Sequence, residues 1–396
     1  MRHLPAWVEV DLDALAANIA LVRERIGAAT KILLIVKADA YGHGAVEVAR
    51  EAIRQGVDML GVATVDEGKE LRGAGLDAAI LVLSPALADE IPDILAHDLR
   101  TTIPSLEFAR ALSQHAYRAH KVVPVHVEVD TGMGRSGLLP DEAVAVALQV
   151  ASLPGLQVEG VYTHFPVSDT DVPASRLQLQ AFLATIARLR AAGVQPRLVH
   201  ASNTAAILQL AAAHLDMVRP GGVLYGVLPD PGLEPPAGLQ QVMSFHARLV
   251  QVRQLPEGHG VSYGRAFVTS RDTVVGVVPV GYGHGLSRAY SGRGAVLFRG
   301  RRVPILGRVT MDMTLVDLTG FEAPEPGENV VLFGRQGEAS ISVDEIAAAT
   351  GVIGYEVLCG ISKRVVRVYK RHGDVQSMRG LTGVRRLGLG ELAAGS

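Results

Sequence analysis

Between residues 31 and 221 the chain repeats one unit: a short aliphatic run, a polar residue at its end, then an Ala-rich amphipathic segment. The runs are KILLIVK (31–37), MLGVAT (59–64), AILVLS (79–84), RTTIPS (100–105), PVHVEVD (124–130), VEGVYTH (158–164), RLVHASN (197–203) and MVRPG (217–221). Strands covered on both faces read as such continuous apolar runs, and helical crossovers between them make neighbours parallel. An open sheet and a closed barrel share this alternation, but eight units fit the barrel. The repetition predicts an α/β fold class with an eight-stranded parallel (β/α)8 barrel over residues 13–235.

The pattern changes at PDPGLEPPAGLQ (229–240), whose prolines and glycines mark a linker. Beyond it come strand-like runs, including SFHARLVQVRQL, DTVVGVVPVGYG, GAVLFRGRRVPILGRV and ENVVLFG, which predict a mostly antiparallel β domain over residues 236–372. One short helix is expected at VDEIAAAT, introduced by Ser342. A strand within residues 1–12 is expected to pack on this domain, and the Gly- and Arg-rich stretch 373–396 reads as a loosely held tail.

At 396 residues the chain exceeds the size of most single cores, which agrees with two domains. Hydrophobic residues at 48%, charged residues at 20% and a net charge of -2 leave no footprint of a nucleic-acid partner. The single cysteine, Cys359, excludes an intrachain disulfide and a Cys-rich metal site, and no metal centre is expected. MRHLPAWVEVDLDAL lacks the apolar core of a signal peptide, and no run is long enough to span a membrane. The expected compartment is the cytoplasm.

In a (β/α)8 barrel the carboxyl ends of the strands build the active site, and here they carry Lys37, Asp130, His164, Asn203 and Arg219. A lysine desolvated at such a mouth favours the free amine, which can attack a carbonyl and form a Schiff base. Gly221 and Gly222 offer backbone N–H groups at the end of the last strand, and Ser202, Asn203 and Thr204 add donors beside them. Together these suit a phosphate-bearing aldehyde cofactor such as pyridoxal phosphate. No P-loop or dinucleotide fingerprint competes.

Eight motifs then appear in one order: VKADAYGHG (36–44), VDTGMGRSG (129–137), YTHF (162–165), HASNTA (200–205), VRPGGVLYG (218–226), GVSYGR (260–265), GRVTMD (307–312) and IGYEVLC (353–359). With them the sequence resembles the alanine racemases, pyridoxal-phosphate enzymes that interconvert L- and D-alanine and supply D-alanine to the bacterial cell wall. The resemblance implies a homodimer with shared active sites acting on a small amino acid. It implies that Lys37 holds the cofactor and that Tyr263, from a second subunit, faces the opposite side. Inverting an α-carbon needs a base on each face, with the cofactor as electron sink. A tyrosine with a pKa of ~10 is only about one part in a thousand ionised at neutral pH, a cost of roughly 4 kcal/mol. The resemblance places His164, Arg219 and His200 behind it to lower that cost. It also implies a phosphate cup of Tyr41, Thr204, Gly221, Gly222 and Tyr355, with Asn203 adjacent. Arg135 and the backbone of Met311 would hold the substrate carboxylate. Asp169, Tyr282, Arg288, Arg308 and Ile353 would line the entrance with Tyr355.

Two positions depart from the family pattern. Many relatives carry a carbamylated lysine where this chain has Glu128, which alternation places on one strand face with His126 and Asp130. Its carboxylate is expected to orient Arg135 in the carbamate's stead. GYGHG (281–285) replaces the commoner GYADG and is expected to put His284 near the entrance. A broader serine racemase, a fold-related decarboxylase and a non-catalytic pyridoxal-phosphate-binding protein are the alternatives.

Overall fold

A computed structural model describes residues 4–386. The chain begins with strand β1 (Ala6–Asp11), and Asp11 caps the helix Leu12–Ile26 by accepting the N–H groups of Asp13 and Ala14. Eight parallel strands follow: β2 (Lys31–Ile35), β3 (Met59–Val62), β4 (Ala79–Val82), β5 (Arg100–Ile103), β6 (Val123–Glu128), β7 (Leu156–Tyr162), β8 (Leu198–His200) and β9 (Met217–Val218). They close into a barrel, with Lys31 and Ile32 of β2 pairing Met217 and Val218 of β9.

The aliphatic runs are continuous because both faces of each strand are covered. On β2, Leu33 and Ile35 point inward to meet Met59, Leu81, Leu198 and Met217, so side chains fill the barrel. Ile32 and Leu34 point outward, into the core shared with the surrounding helices. The strands end one to three residues before the polar groups singled out in the sequence, which leaves Lys37, His164, Asn203 and Arg219 on the loops of the mouth.

The second domain is built on a twelve-stranded, mostly antiparallel sheet. Its core of Val8, Phe245, Phe298, Phe333 and their neighbours is separate from that of the barrel. Strand β1 lies inside this sheet, antiparallel to β10 (Met243–Arg248) and parallel to Val366–Arg371. The expected helix runs over Val343–Thr350, with Ser342 accepting the N–H of Glu345 at 3.0 Å.

The expectation of a loosely held tail from 373 fails over residues 374–386. Asp374–Gly380 pairs with Val366–Arg371, and Gly383–Arg386 pairs with Asp374–Gly380. Sparse apolar periodicity hid these strands, because an edge hairpin is held chiefly by backbone bonds and long-range ion pairs. Residues 387–396 lie outside the described residues. Among the described residues no helix is long and apolar enough to cross a membrane.

Candidate active site

Lys37 follows β2 and opens a turn of unusual hand. Ala38, Asp39, Ala40 and Tyr41 all have φ of 53° to 55°, a run of left-handed conformation without a glycine. Each such residue costs roughly 1–2 kcal/mol, so the surroundings must fix the turn. Glu67 accepts the N–H of Ala38 at 2.7 Å while closing the capping box of the helix Val65–Gly73. Ala40 donates to Val36, Gly42 to Ala38 and Gly44 to Asp39. Gly42 completes the turn at a φ of 79°, where a Cβ would stand 2.2 Å from the carbonyl oxygen of Leu358. Burial lowers the pKa of Lys37, and the nearby charge of Arg135 adds to the effect. Both favour the free amine.

Lys37 lines a cavity of about 640 Å³ at the barrel mouth. At its far end Tyr41 and Tyr355 meet edge to face, their ring centroids 5.3 Å apart. Glycines 221 and 222 admit them: a Cβ would stand 2.7 Å from the Tyr41 hydroxyl or 2.2 Å from that of Tyr355. Thr204 joins this corner, accepting the N–H of Gly221 at 3.2 Å. Two phenols, a hydroxyl and bare glycine backbone thus converge. A phosphate would fit here as the acceptor of neutral donors.

Arg219, 4% exposed, forms one wall. It donates to His200 Nδ1 at 2.8 Å, to the carbonyls of Thr163 and Ala201, and to His164 Nδ1 at 3.4 Å. Because His200 accepts at Nδ1, its Nε2 carries the proton donated to His126, 3.0 Å away. His126 in turn reaches Glu159, which also binds Arg100 at 2.6 Å. Burial and the charge of Arg219 keep His200 neutral, and the same causes lower His164 to about 3. Burial would raise Glu159, but the hydrogen bonds from His126 and Arg100 prevail and hold it at about 2. Burial lowers Arg219 to about 10, so it stays a cation at neutral pH.

Glu128 lines the cavity as its strand position predicts. Its hydrogen bond runs to Ser136 at 2.8 Å and not to Arg135, so the expected direct contact is replaced by one to the neighbouring residue. Burial raises the Glu128 pKa against the pull of Ser136, Arg219 and Arg135. Other strand-end groups serve local structure. Asp130 turns away from the cavity and accepts the N–H groups of Gly132, Met133 and Gly134. Ser202 donates to Ala213, and the Asn203 side chain caps the helix Thr204–Gln209 while holding Phe165 and Ser168. Asn203 and Asp169 still border the cavity. His284, expected at the entrance, is buried and accepts the N–H of Gly281 in its own turn.

A second group of motif residues lies apart from this cavity, on loops of the β domain. Tyr263 is 72% exposed and Met311 is 52% exposed. Ser262, beside Tyr263, donates to the carbonyl of Arg308 at 2.7 Å. Tyr282 and Gly283 donate to Thr310 and Met311 at 2.9 Å. Tyr263, Tyr282, Arg308 and Met311 therefore share one solvent-facing loop cluster, and Arg288 and Ile353 are also exposed.

The family model described as "Alanine racemase, N-terminal domain" matches residues 10–229, and "Alanine racemase, C-terminal domain" matches residues 242–369. The chain belongs to the alanine racemase family. The alanine racemase of Symbiobacterium thermophilum is 42% identical over 366 residues, covering 92% of this chain and 97% of that relative. Among solved structures, the alanine racemase of Bacillus anthracis with bound L-Ala-P superposes with a TM-score of 0.91 at 35% identity, covering 96% of this chain and 98% of that one. The Streptomyces coelicolor alanine racemase has a TM-score of 0.89 at 37% identity, covering 94% of this chain and 99% of that one.

Within this alanine racemase fold the cavity has walls that sequence reasoning passed over. Leu83, Ser84 and Pro85 follow β4, and Met133, Ser136 and Tyr162 close the side near Glu128. The polar end of AILVLS was the signal for Ser84. Tyr162, bonded to Thr102 at 3.0 Å and to the carbonyl of Leu83 at 3.1 Å, lay unmarked inside a recognised motif.

Proposed function

We infer that this chain interconverts L- and D-alanine as a pyridoxal-phosphate enzyme, in a homodimer whose active sites draw on both subunits. The observation that carries the reading is the cavity that joins a desolvated Lys37 to the corner formed by Tyr41, Thr204, Gly221, Gly222 and Tyr355. Those residues suit the two ends of the cofactor: an amine for its aldehyde, and neutral donors over glycine backbone for its phosphate. When bound, the cofactor supplies the electron sink that allows an α-proton to leave.

The chain's own groups do the rest. Lys37 removes or returns a proton on one face, with its amine nitrogen as the base. The exposed Tyr263 serves the other face from the partner subunit, since its own chain holds it outside the cavity. His164, kept neutral and accepting from Arg219 at Nδ1, carries its proton at Nε2 and can donate a hydrogen bond to that tyrosine's oxygen, which favours the phenolate. Arg219, a fixed cation at the cavity wall, would disfavour protonation of a pyridine nitrogen held beside it. Arg135 lines the cavity as the cation for the substrate carboxylate, with the Met311 backbone brought by the partner.

The test is the visible spectrum of the purified protein, followed by chiral chromatography after separate incubation with L-alanine and L-serine. Bound cofactor lost in Lys37→Ala, with faster inversion of alanine, is the expected result. Cofactor bound without inversion of either substrate overturns it, and faster serine inversion moves the enzyme to the broader racemases.

A further inference from the structure

The left-handed turn after Lys37 is gripped from the far end of the chain. Asp39 accepts the N–H of Ala45 at 2.9 Å, and both of its oxygens receive the guanidinium of Arg379, with Nη1 at 2.8 Å from Oδ1 and Nη2 on Oδ2. Arg379 stands on the strand Asp374–Gly380, in register opposite Arg367. Arg367 donates from Nε to the carbonyl of Gly42 at 3.1 Å, and its remaining donors reach the carbonyls of Ile361, Ser362 and Val365. Two cross-strand neighbours therefore hold the two ends of one turn, Asp39 and Gly42. Arg367 lies inside the stretch matched by the family's C-terminal domain, which ends at residue 369, whereas Arg379 lies beyond it.

This pair differs from an ordinary surface ion pair. Its side chains are only 22% and 33% exposed, and its fork geometry fixes direction as well as distance. Between the grips Asp39, Ala40 and Tyr41 are in a left-handed conformation that costs each of them energy to hold. Any relaxation would rotate the residue that begins the turn, Lys37.

We propose that Arg379 is a positioning residue: through Asp39 the C-terminal hairpin holds the Lys37 turn in its left-handed form and sets the lysine's aim into the cavity. This rests on the reading of Lys37 as the cofactor-holding base.

The test uses the pyridoxal-phosphate-loaded enzyme with Arg379→Ala, Asp39→Asn, the double variant and Arg379→Lys. Asp39→Asn keeps an acceptor for Ala45 and guards against a variant that does not fold. For alanine inversion each single variant should lose at least threefold in kcat, with KM changed less than threefold. The double variant should lose no more than twice what the worse single loses, because both act on one contact. Arg379→Lys should recover part of the loss. A readout independent of turnover is the visible circular dichroism of the bound cofactor relative to its absorbance, which reports its orientation and should fall in both single variants. A kcat within threefold of the parent in both singles, multiplying losses in the double, or an unchanged dichroic ratio overturns the proposal. Lys37→Ala is the control: if it retains the cofactor's visible band, the failure belongs to the functional reading and not to the hairpin.

Discussion

At the barrel mouth the key cation, Arg219, is 4% exposed and spends its donors on two carbonyls and two histidines of its own chain. On the β domain the motif phenol, Tyr263, is 72% exposed, with its neighbours held to one another by the Ser262 hydroxyl and by loop backbone. The first region is finished within one chain. The second has fixed loop geometry but displays its chemistry to solvent, as half of a site does when a second subunit completes it. A buried, internally satisfied network is costly to disturb from inside, whereas an exposed cluster can be supplied or withheld by association.

The sharpest way to break this contrast is subunit complementation. Lys37→Ala and Tyr263→Phe should each lower alanine inversion by roughly 10³-fold or more. If the two bases of one site come from different chains, mixing and exchanging the inactive variants regenerates one intact site per mixed dimer, and about a quarter of parental activity should return. No recovery after verified exchange would place both bases on one chain.

A smaller effect is expected at Glu128, where the mouth should tolerate less than the loops do. Glu128→Gln keeps an acceptor for Ser136 but removes the negative charge facing Arg219 and Arg135. KM for alanine should rise by about tenfold with kcat changed by less than threefold, as expected when a charge acting on a nearby binding group is lost. Unchanged kinetics would sink Glu128's role in orienting Arg135.

The smallest effect concerns acid stability, to which the buried histidines contribute. Burial lowers His43 to about 4 and, together with the charge of Arg219, His164 to about 3, below the ordinary 6.5. Between those values the unfolded chain binds protons that the native one does not. The stability is therefore fully present above pH 6.5 and is lost as pH falls toward the folded values, at roughly 1.4 kcal/mol per pH unit for each histidine. Thermal midpoints should be level from pH 8 to 7 and fall by several degrees by pH 5, with part of the fall absent in His43→Gln. A flat profile down to pH 5 would contradict it.

The barrel was legible because its signal is periodic and repeated: eight aliphatic runs with helices between them leave little freedom. Strand-end positions also pointed to Lys37, His164 and Arg219 at the mouth, and the cavity brings them together. The same rule over-reached at Asp130 and Ser202, because a polar residue after a strand serves a turn or a neighbouring carbonyl as readily as a ligand. His284 likewise has one ring nitrogen taken by the turn that contains it. The loop cluster carrying Tyr263 was legible only through resemblance, since an exposed tyrosine between glycines has no periodicity to read. The pairing of Asp39 with Arg379 had no signal in sequence at all, because nothing local relates residues 340 positions apart.

One feature of the sheet bears on how the molecule is made. Strand β1 is made before the barrel strands, yet its partners are β10, which follows the barrel, and Val366–Arg371, further on still. The barrel can close on contacts between successive neighbours as they appear, while Ala6–Asp11 must wait for almost the whole polypeptide. Until then the apolar side chains of Trp7 and Val8 lack their cover, so the interval between barrel closure and arrival of the last strands is the period of greatest exposure to aggregation. Residues made before the barrel are thus among the last to reach their native place.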